Sequence, residues 1–271
     1  MITYRATLDV PEEVVHTIAG WLRAWRAQND VRPWQRAASC YVQAVMFCRW
    51  VKDGTKPHLL ARDANLSQAT AYRYVHQALE VVAEHAPDLA AAIAKAKDAD
   101  EPFLLLDGTL VPTNRVAQTN PETGYDLWYS GKHHKHGANT QVLADHTGYP
   151  LYVSPAEPGS THDITAARTH VLPALYPIAA AGTPVLADKG YTGAGAGILV
   201  PVKGRPDTLD PDTRCRNQLL TSLRGVGERA NALLKGYKVL DKVTFSPEHI
   251  TAIVAAVLVF VHMTYPSAHS W

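Results

Sequence analysis

The pattern of apolar and polar positions changes near residue 100. Before it, apolar residues recur every three or four positions, which predicts amphipathic helices. After it, short uninterrupted apolar runs predict buried strands that alternate with helices. We therefore predict an all-helical domain over residues 1–97 and an α/β domain over residues 98–271, with a mixed sheet that is flanked by helices.

The N-terminal part contains a pair of helices joined by a tight turn. Helices over residues 11–27 and 33–51 precede this pair. A short helix near 58–64 leads to a turn at 64–66 and a longer helix that Ser67 caps. The pair has the size of a helix-turn-helix, and an ordinary αα-hairpin is the alternative. In a helix-turn-helix, Gln68, Thr70 and Arg73 would reach DNA base edges or phosphates.

The second part alternates between the two kinds of element. Apolar runs predict strands, and helical periodicity or polar composition predicts helices. The predicted strands cover residues 103–111, 139–145, 149–154, 184–188 and 197–202. The predicted helices cover residues 162–172, 211–235 (interrupted by Gly-Val-Gly) and 249–263.

Composition places the chain among globular proteins. Hydrophobic residues make up 46% and charged residues 19%, and the formal net charge is +1, so any basic surface must be local. The three cysteines form neither a zinc pattern nor a disulfide framework, which favours a reducing compartment. The apolar stretch 250–263 is shorter than the roughly 20 residues that span a bilayer. We therefore expect a cytoplasmic protein without a membrane partner.

Two predicted buried strands carry an aspartate at or near their ends, Asp107 and Asp188. Functional sites in open α/β sheets gather at the carboxyl ends of strands, so both acids could meet there. Glu228 follows the Gly-Val-Gly break, where a helix can approach a sheet closely. Three carboxylates repel one another unless a hard cation such as Mg²⁺ or Mn²⁺ binds them. Each acid could instead be a helix cap or half of an ion pair.

A basic segment lies between the first two acids. It consists of Lys132, His133, His134, Lys135 and His136. Three interpretations stay open: contact with a DNA phosphate, a solvated hairpin edge, or a zinc site that lacks partners at the usual spacing. Further along, Lys235 lies seven residues after Glu228 on nearly the same helix face and could contact the DNA backbone.

Five sequence blocks resemble those of DDE transposases of the IS5 group. The resemblance is to the branch that shares the DDE superfamily endonuclease domain with Harbinger-type transposases, and it covers about residues 98–240. The blocks stand in the family's order: 106–109 (Leu-Asp-Gly-Thr), 129–136 (Tyr-Ser-Gly-Lys-His-His-Lys-His), 159–163 (Gly-Ser-Thr-His-Asp), 187–191 (Ala-Asp-Lys-Gly-Tyr) and 228–231 (Glu-Arg-Ala-Asn). In this family a helix-turn-helix usually precedes the domain.

The resemblance implies an RNase H-like fold and metal-dependent DNA chemistry. It implies hydrolysis at transposon ends, then attack of the freed 3′-hydroxyl on target DNA, by a homo-oligomer assembled on DNA in the bacterial nucleoid. Asp107, Asp188 and Glu228 would bind Mg²⁺ or Mn²⁺, two ions in all. Asp163 is a further candidate, either near the metals or as a residue that positions the helix it begins. The alternatives are a transposase-derived DNA-binding protein without catalysis and a metal-dependent hydrolase of other substrates.

Overall fold

The computed structural model describes residues 7–121, 124–205 and 207–265. In chain order its helices are α1 (Glu12–Gln28), α2 (Cys40–Asp53), α3 (Pro57–Asp63), α4 (Gln68–Ala83), α5 (Leu89–Asp98), α6 (Asp163–His170), α7 (Leu172–Ala180), α8 (Pro211–Arg224), α9 (Glu228–Lys235) and α10 (Ile250–Thr264). Its strands are β1 (Leu104–Pro112), β2 (Tyr129–Ser130), β3 (Lys135–Ala144), β4 (Pro150–Val153), β5 (Glu157–Pro158), β6 (Val185–Ala187) and β7 (Ile198–Leu199).

The described chain forms two compact units. The first contains residues 7–86 together with 236–241 and 252–265, and the second contains residues 87–235 and 242–251. The first unit therefore takes part of its structure from the C-terminal quarter of the chain. The division after residue 97 stays a prediction about domains.

The first unit is built on helices α1 to α4 and most of α10. Ile18, Leu22 and Phe47 are fully buried, and the ring of Phe47 lies 5.9 Å from that of Phe260. Burying apolar side chains of this kind is the main stabilising term in folding. One buried polar group is satisfied inside this core, since the amide of Gln43 donates to the backbone oxygen of Tyr74 at 3.0 Å.

Helix α10 is apolar along most of its length. The stretch Pro247–Thr264 is long and apolar enough to cross a membrane, with a mean hydropathy of 1.5, and half of it is buried within the protein. Ile253, Val257 and Phe260 are at most 1% exposed. This burial is typical of a core helix and confirms the predicted buried segment.

The second unit is organised around a mixed sheet of seven strands. The strand order is β2-β3-β1-β6-β7, and both β4 and β5 also pair with β3. Strand β3 is antiparallel to β1, whereas β6 runs parallel to β1 and β7 runs parallel to β6. With the helices that flank it and the all-helical region before it, the predicted fold class is confirmed.

Two helices of the structure differ from the predictions. The helix predicted from residue 33 begins at Cys40, because the Ser39 side chain accepts a hydrogen bond from the backbone N–H of Val42 and caps it there. Helix α7 was not predicted. The predicted interruption of the stretch 211–235 is a 3-10 turn at Gly225–Gly227, which separates α8 from α9.

Candidate active site on two parallel strands

Asp107 lies inside the central strand β1. The three leucines before it, Leu104 to Leu106, are at most 3% exposed, which confirms the predicted buried strand. The Oδ1 atom of Asp107 accepts a hydrogen bond of 3.1 Å from the backbone N–H of Gly108, and Oδ2 accepts one of 2.9 Å from the side-chain amide of Asn231. Both donors are neutral, so the negative charge of this carboxylate is left uncompensated by them.

Asp188 lies beside Asp107 because of the strand register. Leu106 pairs with Ala187 in the parallel strands β1 and β6. Asp107 is the next residue of β1, and Asp188 is the residue that directly follows β6. Neighbouring strands lie about 4.8 Å apart, so Asp107 and Asp188 lie side by side at the same height along the two strands. The Oδ1 atom of Asp188 accepts a hydrogen bond of 2.7 Å from Gly190 and caps the 3-10 turn Lys189–Tyr191.

Asp163 approaches the sheet over Gly108. A β-carbon at Gly108 would lie 2.7 Å from Cγ of Asp163, so glycine leaves the space that this carboxylate occupies. The Oδ1 atom of Asp163 accepts a hydrogen bond of 2.8 Å from Asn139, and Oδ2 pairs with Nζ of Lys132, also at 2.8 Å. Asp163 is thus held at the first residue of α6.

The two other aspartates act electrostatically on Asp107. Burial raises the pKa of Asp107, and the negative charges of Asp188 and Asp163 raise it further, while Arg224 and Lys132 oppose them. Burial raises the pKa of the Tyr191 phenol well above its ordinary value, and the negative charges of Asp163, Asp107 and Asp188 raise it further. Gathering three acids in this way is costly unless a cation compensates them.

Glu228 begins helix α9 and is exposed. Within residues 7–121, 124–205 and 207–265, its carboxylate forms no hydrogen bond or ion pair. The contact between α9 and Asp107 is instead made by Asn231, one turn later. In these same ranges, no three His, Cys, Asp or Glu side chains are grouped so that they could hold a metal ion.

Comparison with protein families identifies the region that carries these residues. Residues 106–262 match the model of the DDE superfamily endonuclease family. The chain belongs to this family. The match spans more than half of the chain and includes all five sequence blocks, so the predicted resemblance to a DDE endonuclease domain is confirmed at that level. No curated protein and no solved structure matches the chain.

Membership of the DDE superfamily endonuclease family has general consequences. It implies a nuclease whose substrate is DNA, and DDE endonuclease domains generally use divalent metal ions. The IS5 group, the Harbinger branch and the helix-turn-helix are finer assignments and stay predictions.

The basic segment of this DDE endonuclease domain spans the turn between β2 and β3 and the first two residues of β3. Lys132, His133, His134 and Lys135 are exposed, and His134 has a left-handed backbone with φ of 53°. His136 differs from them, because its Nε2 lies 3.0 Å from a carboxylate oxygen of Asp126.

Lys235, at the end of α9, lies near this turn. Burial lowers the pKa of His133, followed by the charge of Lys132, and the charges of Lys235 and Lys135 lower it further. Lys132, Lys135 and Lys235 are thus exposed cations that lie close enough to His133 to act on its charge.

The predicted DNA-reading residues lie on α4 in the first unit. The turn before it contains Asn65 with φ of 52°, and Ser67 caps the helix as predicted. Gln68 and Arg73 are exposed, whereas the hydroxyl of Thr70 already accepts a hydrogen bond of 2.9 Å from Ser67.

Sequence reasoning did not include Tyr72. It is 43% exposed and shares the surface of α4 with Gln68, Ala69, Arg73 and His76. The sequence could have indicated Tyr72 as a surface neighbour of Gln68, because it lies four residues later and residues four apart share one face of a helix.

Proposed function

We propose that the protein is a DNA transposase that cuts transposon ends and joins them to target DNA. The observation that carries this proposal is the adjacent register of Asp107, inside β1, and Asp188, directly after the parallel strand β6, in a chain of the DDE endonuclease family. Phosphodiester cleavage requires charged groups that are held in fixed positions around the reacting phosphate. Side chains on a β-sheet are held in this way.

The residues at this point fit a hard divalent cation. Two half-buried carboxylates, Asp107 and Asp188, lie side by side on neighbouring strands, and the buried Oδ1 atom of Asn231 accepts no hydrogen bond within the described residues. We assign Asp107, Asp188 and Glu228 as the residues that would hold the metal. When bound, two Mg²⁺ or Mn²⁺ ions would stabilise the attacking and leaving oxygens of the phosphodiester.

The DNA would contact two surfaces of the chain. The α3–α4 pair is proposed as a helix-turn-helix that recognises the transposon end through Gln68 and Arg73. The turn that contains Lys132, His133, His134 and Lys135, together with Lys235, would contact phosphates near the scissile bond. Joining two ends requires more than one active site, so we propose a homo-oligomer on DNA, in the nucleoid.

A nicking assay on duplexes that carry the inverted repeats flanking the gene tests this proposal. We expect strand nicking in Mg²⁺ or Mn²⁺ and none in EDTA. Asp107→Asn, Asp188→Asn and Glu228→Gln should each lower nicking at least about 100-fold, because each removes charge from the cation-binding group. Full nicking by Asp107→Asn, or no nicking by the unmodified protein, would refute the proposal.

A second function is favoured by one observation, the exposed position of Glu228. A transposase-derived DNA-binding protein that has lost catalysis would bind the inverted repeats without cutting them. The Glu228→Gln variant discriminates between the two functions when compared with the unmodified protein. Binding of equal affinity without nicking in either form would support the DNA-binding protein.

A further inference from the structure

A line of hydrogen-bonded side chains runs from the sheet interior to the edge of the carboxylate site. The hydroxyl of Tyr191 donates to Oε1 of Gln141 at 2.5 Å, and Nε2 of Gln141 donates to Oδ1 of Asn139 at 3.1 Å. Asn139 then donates to Oδ1 of Asp163 at 2.8 Å. Gln141 and Asn139 are two residues apart on β3 and therefore share one face of the sheet.

The interior part of this line is buried and hydrogen-bonded. Tyr191 and Gln141 are fully buried, and Asn139 is 6% exposed. The amide of Asn139 also donates to the backbone oxygen of Thr161 at 2.9 Å, two residues before Asp163. Buried polar groups that are satisfied in this way fix one another's orientation, so the orientation of the Asp163 carboxylate is set from within the sheet.

The outer end of the line is a lysine. Nζ of Lys132 lies 2.8 Å from Oδ2 of Asp163, and the exposed fractions of the two side chains are 57% and 13%. An ammonium group has three N–H donors, and Asp163 uses one of them. Asp163 therefore has a cationic partner, whereas the hydrogen-bond donors of Asp107 are the neutral groups of Gly108 and Asn231.

We infer that Asp163 is a positioning residue, which holds the ammonium of Lys132 at the edge of the Asp107–Asp188 pair to bind a phosphate oxygen of the DNA strand being cut. This inference rests on the proposed function. A long lysine side chain that is fixed before DNA arrives loses little conformational freedom on binding, which favours correct placement of the phosphate.

The surface beside Lys132 has room and polar groups for such a phosphate. Lys132 and Asp163 line a cavity of about 210 Å³ together with Ser130, Thr161 and His162. Ser130 is only 4% exposed, and within the described residues its hydroxyl makes no hydrogen bond. That hydroxyl is thus available as a second donor to an oxygen bound by Lys132.

Two measurements separate positioning from metal binding. The first is Mn²⁺ affinity without DNA, followed by the electron paramagnetic resonance of free Mn²⁺. We expect Asp107→Asn to weaken it at least about tenfold, because a carboxylate ligand is lost, and Asp163→Asn and Lys132→Met to change it clearly less. An Asp163→Asn variant that loses Mn²⁺ as Asp107→Asn does would show that Asp163 is a ligand and would overturn the inference.

The second measurement is the kcat/KM of nicking in a double-mutant cycle. Asp163→Asn and Lys132→Met should each lower it about tenfold, and the double variant should be no worse than Lys132→Met, because both changes remove one interaction. Lys132→Arg should recover part of the loss, since a guanidinium binds both carboxylate and phosphate. Losses that multiply in the double variant would overturn the inference.

Controls keep the inference separate from folding and from the proposed function. Lys97→Met, which changes an exposed lysine of α5, should alter neither measurement. Lys132 is exposed, so its variants should fold even where Asp163→Asn unfolds. If the unmodified protein does not nick, the proposed function fails. The cycle is then measured on equilibrium affinity for the same duplex in Ca²⁺, where additive losses still overturn the inference and non-additive losses support it.

Discussion

The side-chain amide of Asn231 donates a hydrogen bond of 2.9 Å to Oδ2 of Asp107 and ties helix α9 to the central strand β1. Asn231 is three residues after Glu228, and residues three apart lie on one face of a helix. The face of α9 that carries Glu228 is therefore the face that contacts the carboxylate site. Asn231 fixes the orientation of Asp107 from a segment 124 residues further along the chain.

Removing this amide should impair nicking. Hydrogen bonds to charged groups contribute about 1.5–3 kcal/mol, so Asn231→Ala should lower the nicking rate roughly 10- to 100-fold through misorientation of Asp107. Gln218→Ala, which removes an exposed amide on α8, is the matched control and should leave the rate unchanged. Single-turnover nicking measures both, and an unchanged rate for Asn231→Ala would show that Asp107 is oriented by other contacts.

The stability of the metal-free protein should respond to Asp107 in an unusual direction. Burial and the charge of Asp188 raise the pKa of Asp107 above its ordinary value of 3.8. The ionised group therefore costs stability at a pH above its folded-state pKa, and this cost vanishes below about pH 3.8. Asp107→Asn should thus stabilise the protein at pH 7.5 by about 0.5–2 kcal/mol, and the gain should shrink toward pH 4.

Asp126 provides a control of opposite sign. Its pKa is lowered, chiefly because the side chain of His136 donates a hydrogen bond to it. Its contribution to stability is present above about pH 3.8 and is lost as the pH falls through the lowered folded-state pKa, so Asp126→Asn should destabilise the protein at pH 7.5. Urea unfolding in EDTA at pH 4 and pH 7.5 measures both variants. A destabilised Asp107→Asn at pH 7.5 would contradict the prediction.

The elements that position the first two acids could be predicted from local sequence. An uninterrupted apolar run that contains or ends on an acid identified β1 with Asp107 and β6 with Asp188. The register that puts Leu106 beside Ala187 could not be predicted, because it depends on backbone hydrogen bonds between segments about 80 residues apart. Sequence therefore supplied the candidates, and tertiary structure determined which of them are neighbours.

The polar residues that support the site were missed for a related reason. Gln141 and Asn139 alternate in a strand that is almost completely buried, and two amides in such a strand were the available signal. Their partners, Tyr191 and Asp163, come from distant segments. Helix α7 was missed because Pro173 and Pro177 argue against a helix. The structure accommodates Pro173 in the first turn, where its missing N–H costs nothing.

Glycine at position 108 should be required by the close approach of Asp163. In Gly108→Ala the new β-carbon would lie 2.7 Å from Cγ of Asp163, so the carboxylate must move or the strand must shift. Overpacking of this kind costs about 1–3 kcal/mol. Gly225→Ala is the matched control, because no atom lies within 4 Å of its added β-carbon and its backbone is helical. Urea unfolding should show a loss only for Gly108→Ala, and equal stability of both variants would refute the crowding argument.

DNA recognition by α4 should separate into two kinds of contact. Arg73 is exposed and carries a charge, so its contact with a phosphate would release one counterion. Arg73→Ala should therefore weaken binding to all sequences and reduce the slope of log K against log salt concentration by about one. Gln68, in the first turn of α4, is suited to a base edge. Gln68→Ala should weaken binding to the inverted repeat by about 1–3 kcal/mol, leave the salt slope unchanged and relax specificity.

Fluorescence anisotropy of the full chain at several salt concentrations measures these slopes. Arg23→Ala, which removes an exposed arginine of α1 in the same unit, is the control for loss of one positive charge. If Arg23→Ala and Arg73→Ala reduce the slope equally, binding depends on overall charge and α4 is not the recognition helix. If only Arg73→Ala reduces the slope, α4 contacts the DNA backbone directly. The loss of specificity in Gln68→Ala would then identify the base-reading end of that helix, because one rigid helix fixes both side chains relative to the duplex.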